Sequence, residues 1–384
     1  MAMIEKRDIE SLLQHEGWPA ISIYMPISRI GDQQDPLRYK KMINELTGRL
    51  IDEGMRAPEA RSLLEAEFAL INDKEYWKHL GSDGLAFFRT GQKTLRYPLP
   101  VSFAEQAMVG RRLHIRPLLP LLAGGPYLVL ALSRKQLQLF RGDRYQLEAI
   151  VLPEGTPQSM NEALQYDDPE RHLQFHTKTG TSGGQREAMF HGQGMGFDDQ
   201  NEDLGRYLQA IDRALFPLLE DEKVPIILAG TEELHAGYRN VIKSRTILSR
   251  GITGNVSELS PEMLHEKAWD IALEFFSKEE RQAVDLYQDN LGGDKVVDEL
   301  QSVITAAFDG RVENLFVTEN EQIWGKFDPE KRQVIVKKSS EGDGPFVDLL
   351  DEAVFCTLQK KGAVFVKTRD TMPSDTIVCA YLRY

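Results

Sequence analysis

The sequence predicts a multidomain α/β protein, and three observations support that fold class. The chain has 384 residues, and at roughly 100–200 residues per domain a chain of this length holds two or three domains. Short apolar runs of strand length alternate with amphipathic segments of helical spacing, a layout typical of α/β folds. Hydrophobic residues make up 41% of the chain, which is enough to form several cores.

The first region, residues 1–118, is predicted to be an α+β domain. The run 21–26 (ISIYMP) has the β-branched content of a strand and ends at a proline. Apolar residues recur at helical spacing in the segments 36–54 and 58–80, which predicts two helices. Short β-like runs complete the region at 84–89, 94–100 and 111–117.

The second region, residues 119–256, is predicted to be a mixed α/β domain. Continuous apolar runs at 126–133 and 224–230 are typical of strands buried on both faces. Between them the sequence predicts a β-hairpin, a polar loop from about 155 to 200, and an amphipathic helix. The apolar face of that helix consists of Leu204, Leu208, Ile211, Leu215 and Leu218. A loop of this length is usually functional or disordered.

The third region, residues 257–384, is predicted to be an α/β/α sandwich because helices and strands alternate along it. Ser260 and Pro261 are residues typical of a helix start. Trp324, near the end of a predicted strand, is interpreted as a core or anchoring residue. The predicted helices lie at 261–276, 294–310 and 346–362, and the predicted strands at 314–320, 334–338, 363–368 and 376–384.

Composition disfavours several classes of protein. No apolar run approaches the ~20 residues that span a bilayer, and the charged N-terminus lacks a secretory h-region, so we expect a cytoplasmic protein without membrane contact. The net charge of −13 counts against a general nucleic-acid coat, although a basic loop on an acidic body could still contact RNA. Cys356 and Cys379 lie in apolar segments and are predicted to be buried free thiols.

The sharpest motif lies in the polar loop, where Gly183, Gly184 and Gln185 spell Gly-Gly-Gln. The tripeptide alone is a weak signal, but its context strengthens it. The loop follows three predicted strands and precedes a helix and a buried strand that ends in Leu-Ala-Gly at 228–230. Two glycines allow backbone conformations that other residues avoid, and they allow close approach to an RNA end.

This arrangement resembles the middle domain of archaeal and eukaryotic class-one peptide-chain release factors. The likeness continues in a strand that ends at Glu319-Asn320 and in the final Arg383-Tyr384 pair. It covers residues 119–384 and is nearest to the uncharacterised bacterial relatives of these factors and of Pelota. It implies a ribonuclease H-like middle domain and a C-terminal α/β/α sandwich resembling kink-turn-binding ribosomal proteins. Residues 1–118 are unrelated to it, and their role is unknown.

The resemblance also implies a function at the ribosome, with the ribosome and tRNA as partners and a protein partner bound through the C-terminal domain. The reaction would be hydrolysis of the peptidyl-tRNA ester in ribosome rescue or translation quality control. The backbone N–H of Gln185 would stabilise the oxyanion, and its side chain would position a water. The implied site consists of catalytic Gly183, Gly184 and Gln185 and of RNA-contacting Lys178, Arg186, His191 and Gln193.

Two departures from the family pattern keep a second interpretation open. Acidic residues, rather than arginines, precede the helix after the loop, at Asp198, Asp199, Glu202 and Asp203. No codon-reading motif is found, since the NIKS-like residues 241–244 follow the Leu-Ala-Gly strand in the wrong domain. The alternative is a non-catalytic, Pelota-like ribosome- or RNA-binding module in which the Gly-Gly-Gln letters are incidental.

Neither a metal nor a cofactor is predicted. His172, His176 and His191 have spacings that match no standard pair of metal ligands. The glycine-rich stretch 192–196 lacks the preceding strand and the Lys-Ser/Thr pair of a P-loop.

Overall fold

The computed structural model describes residues 4, 6–29, 34–91, 93–167, 195–219, 224–242, 246–337 and 347–384. These residues form several sheets flanked by helices, which confirms the predicted mixed α/β, multidomain fold class. They divide into two compact units. Unit 1 joins residues 1–123 to residues 279–384, and unit 2 comprises residues 124–278. The domain boundaries predicted at 118 and 256 stay predictions.

The N-terminal part of unit 1 is built on an antiparallel sheet with the strand order β3-β2-β1-β4. Its strands are β1 (Glu16–Pro26), β2 (Gly84–Arg89), β3 (Thr94–Leu99) and β4 (Gln106–Arg112). Its helices are α1 (Lys6–Leu13), α2 (Gln34–Asp52), α3 (Ala57–Leu63), α4 (Glu65–Leu70), α5 (Lys74–Lys78) and α6 (Leu119–Leu122). Alternate residues of β1 point to opposite faces: Ile21 and Ile23 join the cluster that α2 covers, whereas Ala20 and Tyr24 join a second cluster.

The segment 58–80 contains three short helices, so the prediction of one continuous helix there was wrong. The backbone leaves helical geometry at Leu64, with φ −103° and ψ 12°. Asp73 then caps α5, because its side chain accepts a hydrogen bond from the backbone N–H of Tyr76 at 3.0 Å. An aspartate in that position starts a new helix instead of continuing the previous one.

The strand predicted at 111–117 was also misplaced. β4 ends at Arg112, and a 3₁₀ helix covers Arg116–Leu118. Pro117 has no N–H to donate to a sheet, which disfavours a strand that continues through it.

The C-terminal part of unit 1 has helices on both faces of a mixed sheet, with the strand order β10-β16-β11-β15. Leu315 and Val317 of β11 pack with α12 and α13, whereas Phe316 packs with Tyr287 of α11 on the other face. A small sheet, β13-β12-β14, lies beside it. The elements are α11 (Lys278–Asp289), β10 (Val296–Val297), α12 (Leu300–Phe308), β11 (Val312–Thr318), β12 (Trp324–Asp328), β13 (Gln333–Val336), β14 (Val347–Asp348), α13 (Leu349–Gln359), β15 (Ala363–Lys367) and β16 (Val378–Leu382).

Unit 2 has a five-stranded sheet with the order β7-β6-β5-β8-β9, in which β5 and β8 are parallel. Three helices cover one face and one helix covers the other. The strands are β5 (Tyr127–Leu132), β6 (Leu137–Gly142), β7 (Leu147–Ile150), β8 (Ile226–Gly230) and β9 (Ile252–Thr253). The helices are α7 (Met160–Asp167), α8 (Met195–Leu219) and α9 (Glu232–Val241) on the first face and α10 (Pro261–Phe276) on the second.

Several elements were not predicted. Helix α7 lies inside the stretch that was expected to be a polar loop, and α8 begins earlier than predicted. The helices α9 and α11 and the strand β12 were missed as well. The predicted cap of α10 is confirmed, since the Ser260 hydroxyl accepts from the Met263 N–H at 3.3 Å. Both cysteines are buried and free, as predicted.

One hydrophobic cluster joins the two parts of unit 1. Ile115 and Leu118, which follow β4, belong to the same cluster as Leu350 and Val354 of α13. The first and last thirds of the chain therefore share a core. Among the described helices, none combines the length and the apolar character needed to cross a membrane.

Candidate functional site

All of the predicted site residues lie outside the described residues. They belong to the segment 168–194, which connects α7 to α8. Their roles stay predictions, and the structure describes only the elements that flank this segment. The residues concerned are Lys178, Gly183, Gly184, Gln185, Arg186, His191 and Gln193.

The two helices that flank this segment are held by the turn between β5 and β6. The backbone N–H of Met160, at the start of α7, donates to the Arg134 carbonyl at 2.9 Å. On α8, the Tyr207 hydroxyl donates to the Ser133 carbonyl at 3.0 Å. Burial raises the pKa of Tyr207 to about 12, so this hydroxyl keeps its proton near neutral pH. Both helices are thus hydrogen-bonded to adjacent residues at the same end of the sheet.

The body of α8 is fixed by its apolar face. Leu204, Leu208, Ile211 and Leu215 are buried against the sheet, and Leu218 packs at the edge of the same cluster, as the spacing predicted. Near the start of α8 the exposed Glu202 forms an ion pair with Arg206 at 3.4 Å. Glu202 and Asp203 make this part of α8 acidic instead of basic.

A cluster of charged side chains, which the sequence did not reveal, is buried in unit 1. Its centre is Arg116, which follows β4 and is fully buried. The Arg116 guanidinium donates to Asp348 Oδ2 at 2.7 Å and to the Thr318 carbonyl at 3.3 Å. Its Nε lies 3.3 Å from Asp351 Oδ1. We call Arg116, His114, Asp348 and Asp351 the buried charge cluster.

His114 completes this cluster from the same segment as Arg116. Its Nδ1 contacts Asp351 Oδ2, and its Nε2 lies 3.1 Å from Gln106 Oε1. Burial, followed by the charge of Arg116, holds the pKa of His114 well below its ordinary value. The imidazole is therefore neutral near pH 7, with Nδ1 as the N–H that donates to Asp351. With this tautomer, a hydrogen bond between Nε2 and the Gln106 side chain requires the amide NH₂ of Gln106 as the donor.

Burial also shifts the pKa values of the central ion pair. It raises the pKa of the Asp348 carboxyl, and the nearby Arg116 charge opposes that shift. The backbone N–H groups of Ile323 and Leu350 donate to Asp348 Oδ1 at 3.2 and 3.1 Å, which also favours the carboxylate. Arg116 remains charged because a guanidinium is not deprotonated in proteins.

Donor atoms of His114, Asp348 and Asp351 lie within 4.8 Å of one another, a spacing that suits a metal ion. The Arg116 guanidinium already pairs with both carboxylates. A cation placed among these atoms would lie next to that positive charge. The cluster is therefore organised as an ion-pair network that joins the two parts of unit 1.

Residues 126–311 match the family model described as bacterial archaeo-eukaryotic release factor family 3. The matched segment begins one residue before β5, includes α7 and α8, and ends just before β11. It therefore contains the whole of the Gly-Gly-Gln segment. No curated protein matches the chain.

Several solved structures of archaeal and yeast proteins align with this chain at low identity. An archaeal translation termination factor, aRF1, is 14% identical, with 100% of this chain and 99% of that chain covered and a TM-score of 0.24. Archaeoglobus fulgidus Pelota is 13% identical, with coverages of 78% and 79% and a TM-score of 0.29. Dom34 of S. cerevisiae is 10% identical, with coverages of 76% and 73% and a TM-score of 0.32.

The match over residues 126–311 agrees with the resemblance found in the Gly-Gly-Gln loop and the Leu-Ala-Gly strand. Residues 126–311 of this chain are therefore similar to a bacterial family of archaeo-eukaryotic release-factor relatives.

Proposed function

We propose that this chain is a release-factor-like translation factor that acts at the ribosome and hydrolyses the ester of peptidyl-tRNA. The observation that carries the proposal is the family match over residues 126–311, which includes Gly183, Gly184 and Gln185. The setting would be ribosome rescue or translation quality control. Because no codon-reading motif is found in the sequence, we do not propose recognition of a stop codon.

The proposed chemistry needs few groups from the protein. A water attacks the carbonyl carbon of the ester, and the tetrahedral intermediate then expels the tRNA 3′ hydroxyl and leaves a peptide carboxylate. The Gln185 backbone N–H donates to the oxyanion, and the Gln185 side chain positions the water. Such a donor is effective where water is excluded. The ribosome would supply that environment, so the isolated protein should be almost inactive.

The flanking elements support this proposal in one respect. A catalytic segment must be held in a fixed position to act on the ribosome. The helices on either side of this segment, α7 and α8, are both hydrogen-bonded to the turn between β5 and β6. The basic residues Lys178 and Arg186, with His191 and Gln193, would contact RNA. A protein partner would bind through the C-terminal residues.

The test measures peptide release from ribosomes that carry labelled peptidyl-tRNA and an empty A site. We expect Gly183→Ala to slow release by about 10²–10³-fold, the loss typical when one oxyanion donor is displaced, and Gln185→Ala to slow it too. The matched control is Gln209→Ala, an exposed position on α8, which should leave release unchanged. Wild-type rates in both loop variants would rule out hydrolysis by this segment.

A second candidate function is a non-catalytic, Pelota-like module that binds the ribosome or a structured RNA. The acidic residues at the start of α8, including Glu202 and Asp203, favour this alternative, because they oppose close contact with phosphates. Co-sedimentation with ribosomes over a salt series separates the two. Salt-sensitive binding without release in the wild type supports the module, whereas absence of binding contradicts both candidates.

A further inference from the structure

A cavity of about 610 Å³ lies within unit 1, where β4, β12 and α13 meet. Cavities of roughly 300–1,000 Å³ hold small-molecule ligands in many proteins. The described lining residues all belong to unit 1, whereas the Gly-Gly-Gln segment falls within unit 2 in sequence. Its ligand is therefore a question separate from peptidyl-tRNA hydrolysis.

Aromatic side chains form part of the lining, and two of them, Trp18 and Trp324, are partly exposed. Trp18 is 36% exposed and Trp324 is half-buried. Among the described residues, neither indole forms an aromatic pair. The other rings are occupied: Phe327 packs with Phe308 at 5.4 Å, and the Arg112 guanidinium covers the Phe355 ring at 3.9 Å. The indoles thus offer flat surfaces on which a planar ring can stack.

Most of the carboxylates in the lining are already neutralised. Arg112 donates to Glu16 at 2.9 Å and to both oxygens of Glu352 at 2.7 Å. Asp348 and Asp351 belong to the buried charge cluster, where they face Arg116 and His114. Glu53 is the one acidic side chain of the lining outside these networks in the described part of the chain. A cationic ligand would therefore meet few available carboxylates.

Two cations of the lining have no such partner. Arg111 on β4 and Lys326 on β12 are both exposed. Within the residues that the structure describes, neither side chain forms a hydrogen bond or an ion pair. The charged side chains of the lining that lack an ion-pair partner among the described residues are thus two cations, Arg111 and Lys326, and one carboxylate, Glu53. This balance favours an anionic ligand, and both side-chain types bind phosphate.

We propose that the cavity binds a nucleotide. The base stacks on the indoles of Trp18 and Trp324, and the phosphate pairs with Arg111 and Lys326. Base stacking on aromatic side chains together with cations for the phosphate is the combination by which proteins hold nucleotides with little sequence preference. The ligand is either a free nucleoside monophosphate or a nucleotide at an RNA end, since both present the same base and phosphate.

The test is calorimetric titration of the full-length protein with AMP, GMP, CMP and UMP, and with a 5′-phosphorylated RNA trinucleotide. We expect saturable binding at one site per chain for at least one of these probes. Binding of a mononucleotide identifies a free nucleotide as the ligand. Saturable binding by the trinucleotide alone identifies an RNA end and supports the same nucleotide chemistry. Absence of saturable binding by all five at millimolar concentration overturns the proposal.

Variants locate the binding in this cavity. Trp324→Leu should weaken binding by about tenfold or more, which is the usual loss when a stacked aromatic ring is removed. The double variant Arg111→Gln with Lys326→Gln should weaken it by about tenfold and flatten its dependence on salt. The matched control is Lys93→Gln, an exposed lysine of unit 1 outside the cavity.

Thermal melts of the variants show whether each remains folded, so that lost binding is not mistaken for lost structure. Two results contradict the assignment: Lys93→Gln weakens binding as much as the cavity variants do, or the folded cavity variants bind like the wild type. Peptide release from ribosomes is measured separately, so failure here leaves the release proposal unaffected.

Discussion

At the scale of the residue, the buried charge cluster is the feature with the largest expected energetic effect. Arg116 and Asp348 are almost completely buried, and their ion pair joins the end of β4 to the start of α13. Removing one partner of such a pair costs about 3–5 kcal/mol, because the other charge is left buried and uncompensated. The cluster therefore holds the two parts of unit 1 together. A single substitution in it should strongly lower the free energy of unfolding.

The pKa of His114 leads to a prediction about pH. This pKa is lowered in the folded state, so the unfolded chain binds a proton more readily. The contribution of the neutral ring to stability is complete above the unfolded pKa of about 6.5. It is lost as the pH falls from there toward the folded pKa. We expect the free energy of unfolding, measured with urea, to fall from pH 7.5 to pH 5, and to fall less steeply in His114→Gln.

Other titrating groups require matched controls for this measurement. Burial also lowers the pKa of His235 in unit 2, so His235→Gln should remove a separate part of the slope. Gln209→Ala, at an exposed position on α8 without a titrating side chain, is the control and should leave the pH dependence as in the wild type. An unchanged slope in His114→Gln would mean that the ring titrates alike in the folded and unfolded states.

At the scale of the element, two glycines of unit 2 differ in the space around them. A side chain has room at the glycine in a helix, but it has none at the glycine that ends a strand. Gly205 lies within α8, and a Cβ added there would meet no atom within 4 Å. Gly230 ends β8 with φ +157°, and a Cβ there would lie 2.5 Å from the Leu132 carbonyl oxygen. The same substitution should therefore have opposite effects at the two positions, although both lie in unit 2.

We predict that Gly205→Ala raises the free energy of unfolding by about 0.5–1 kcal/mol, since alanine restricts the unfolded chain and favours the helix. Gly230→Ala should lower the free energy of unfolding, because the backbone of β5 must move to accept the methyl group. Urea unfolding followed by circular dichroism measures both. Equal effects of the two substitutions would contradict the packing of β8 against β5.

At the scale of the whole molecule, unit 1 is assembled from the two ends of the chain, and unit 2 lies between them in sequence. The shared cluster includes Tyr24 and Leu118 from the first third and Leu315 and Leu350 from the last. A hydrophobic core formed from distant segments requires both of them. Neither end should therefore be stable without the other.

This requirement predicts the behaviour of fragments. Residues 1–123 and 279–384, expressed as separate chains, should co-purify when one of them carries a tag. Arg112→Ala in the first fragment should weaken the association, because Arg112 pairs with Glu352 and covers the Phe355 ring. Lys93→Gln is the matched control and should have no effect. Two folded fragments that do not associate would contradict a shared core.

Much of the secondary structure could be predicted from local patterns. The apolar runs that became β5 and β8, the face of α8 and the cap at Ser260 all depend on residues that are neighbours in sequence. The errors have equally local causes. Asp73 restarts a helix where the apolar spacing suggested continuity, and Pro117 ends a segment whose composition resembled a strand. The proposed catalytic residues depend on sequence and family alone.

By itself, the sequence determined the α/β class, most of the strands and the similarity of residues 126–311 to a release-factor family, because periodicity and short motifs are local properties. Only the tertiary structure decided that the two ends of the chain share one core and that Arg116 meets Asp348. It also decided that Trp18, Arg111 and Lys326 line one cavity. Arg116 and its partner are separated by 232 residues, and no pattern along the chain indicates which distant carboxylate will compensate a buried arginine.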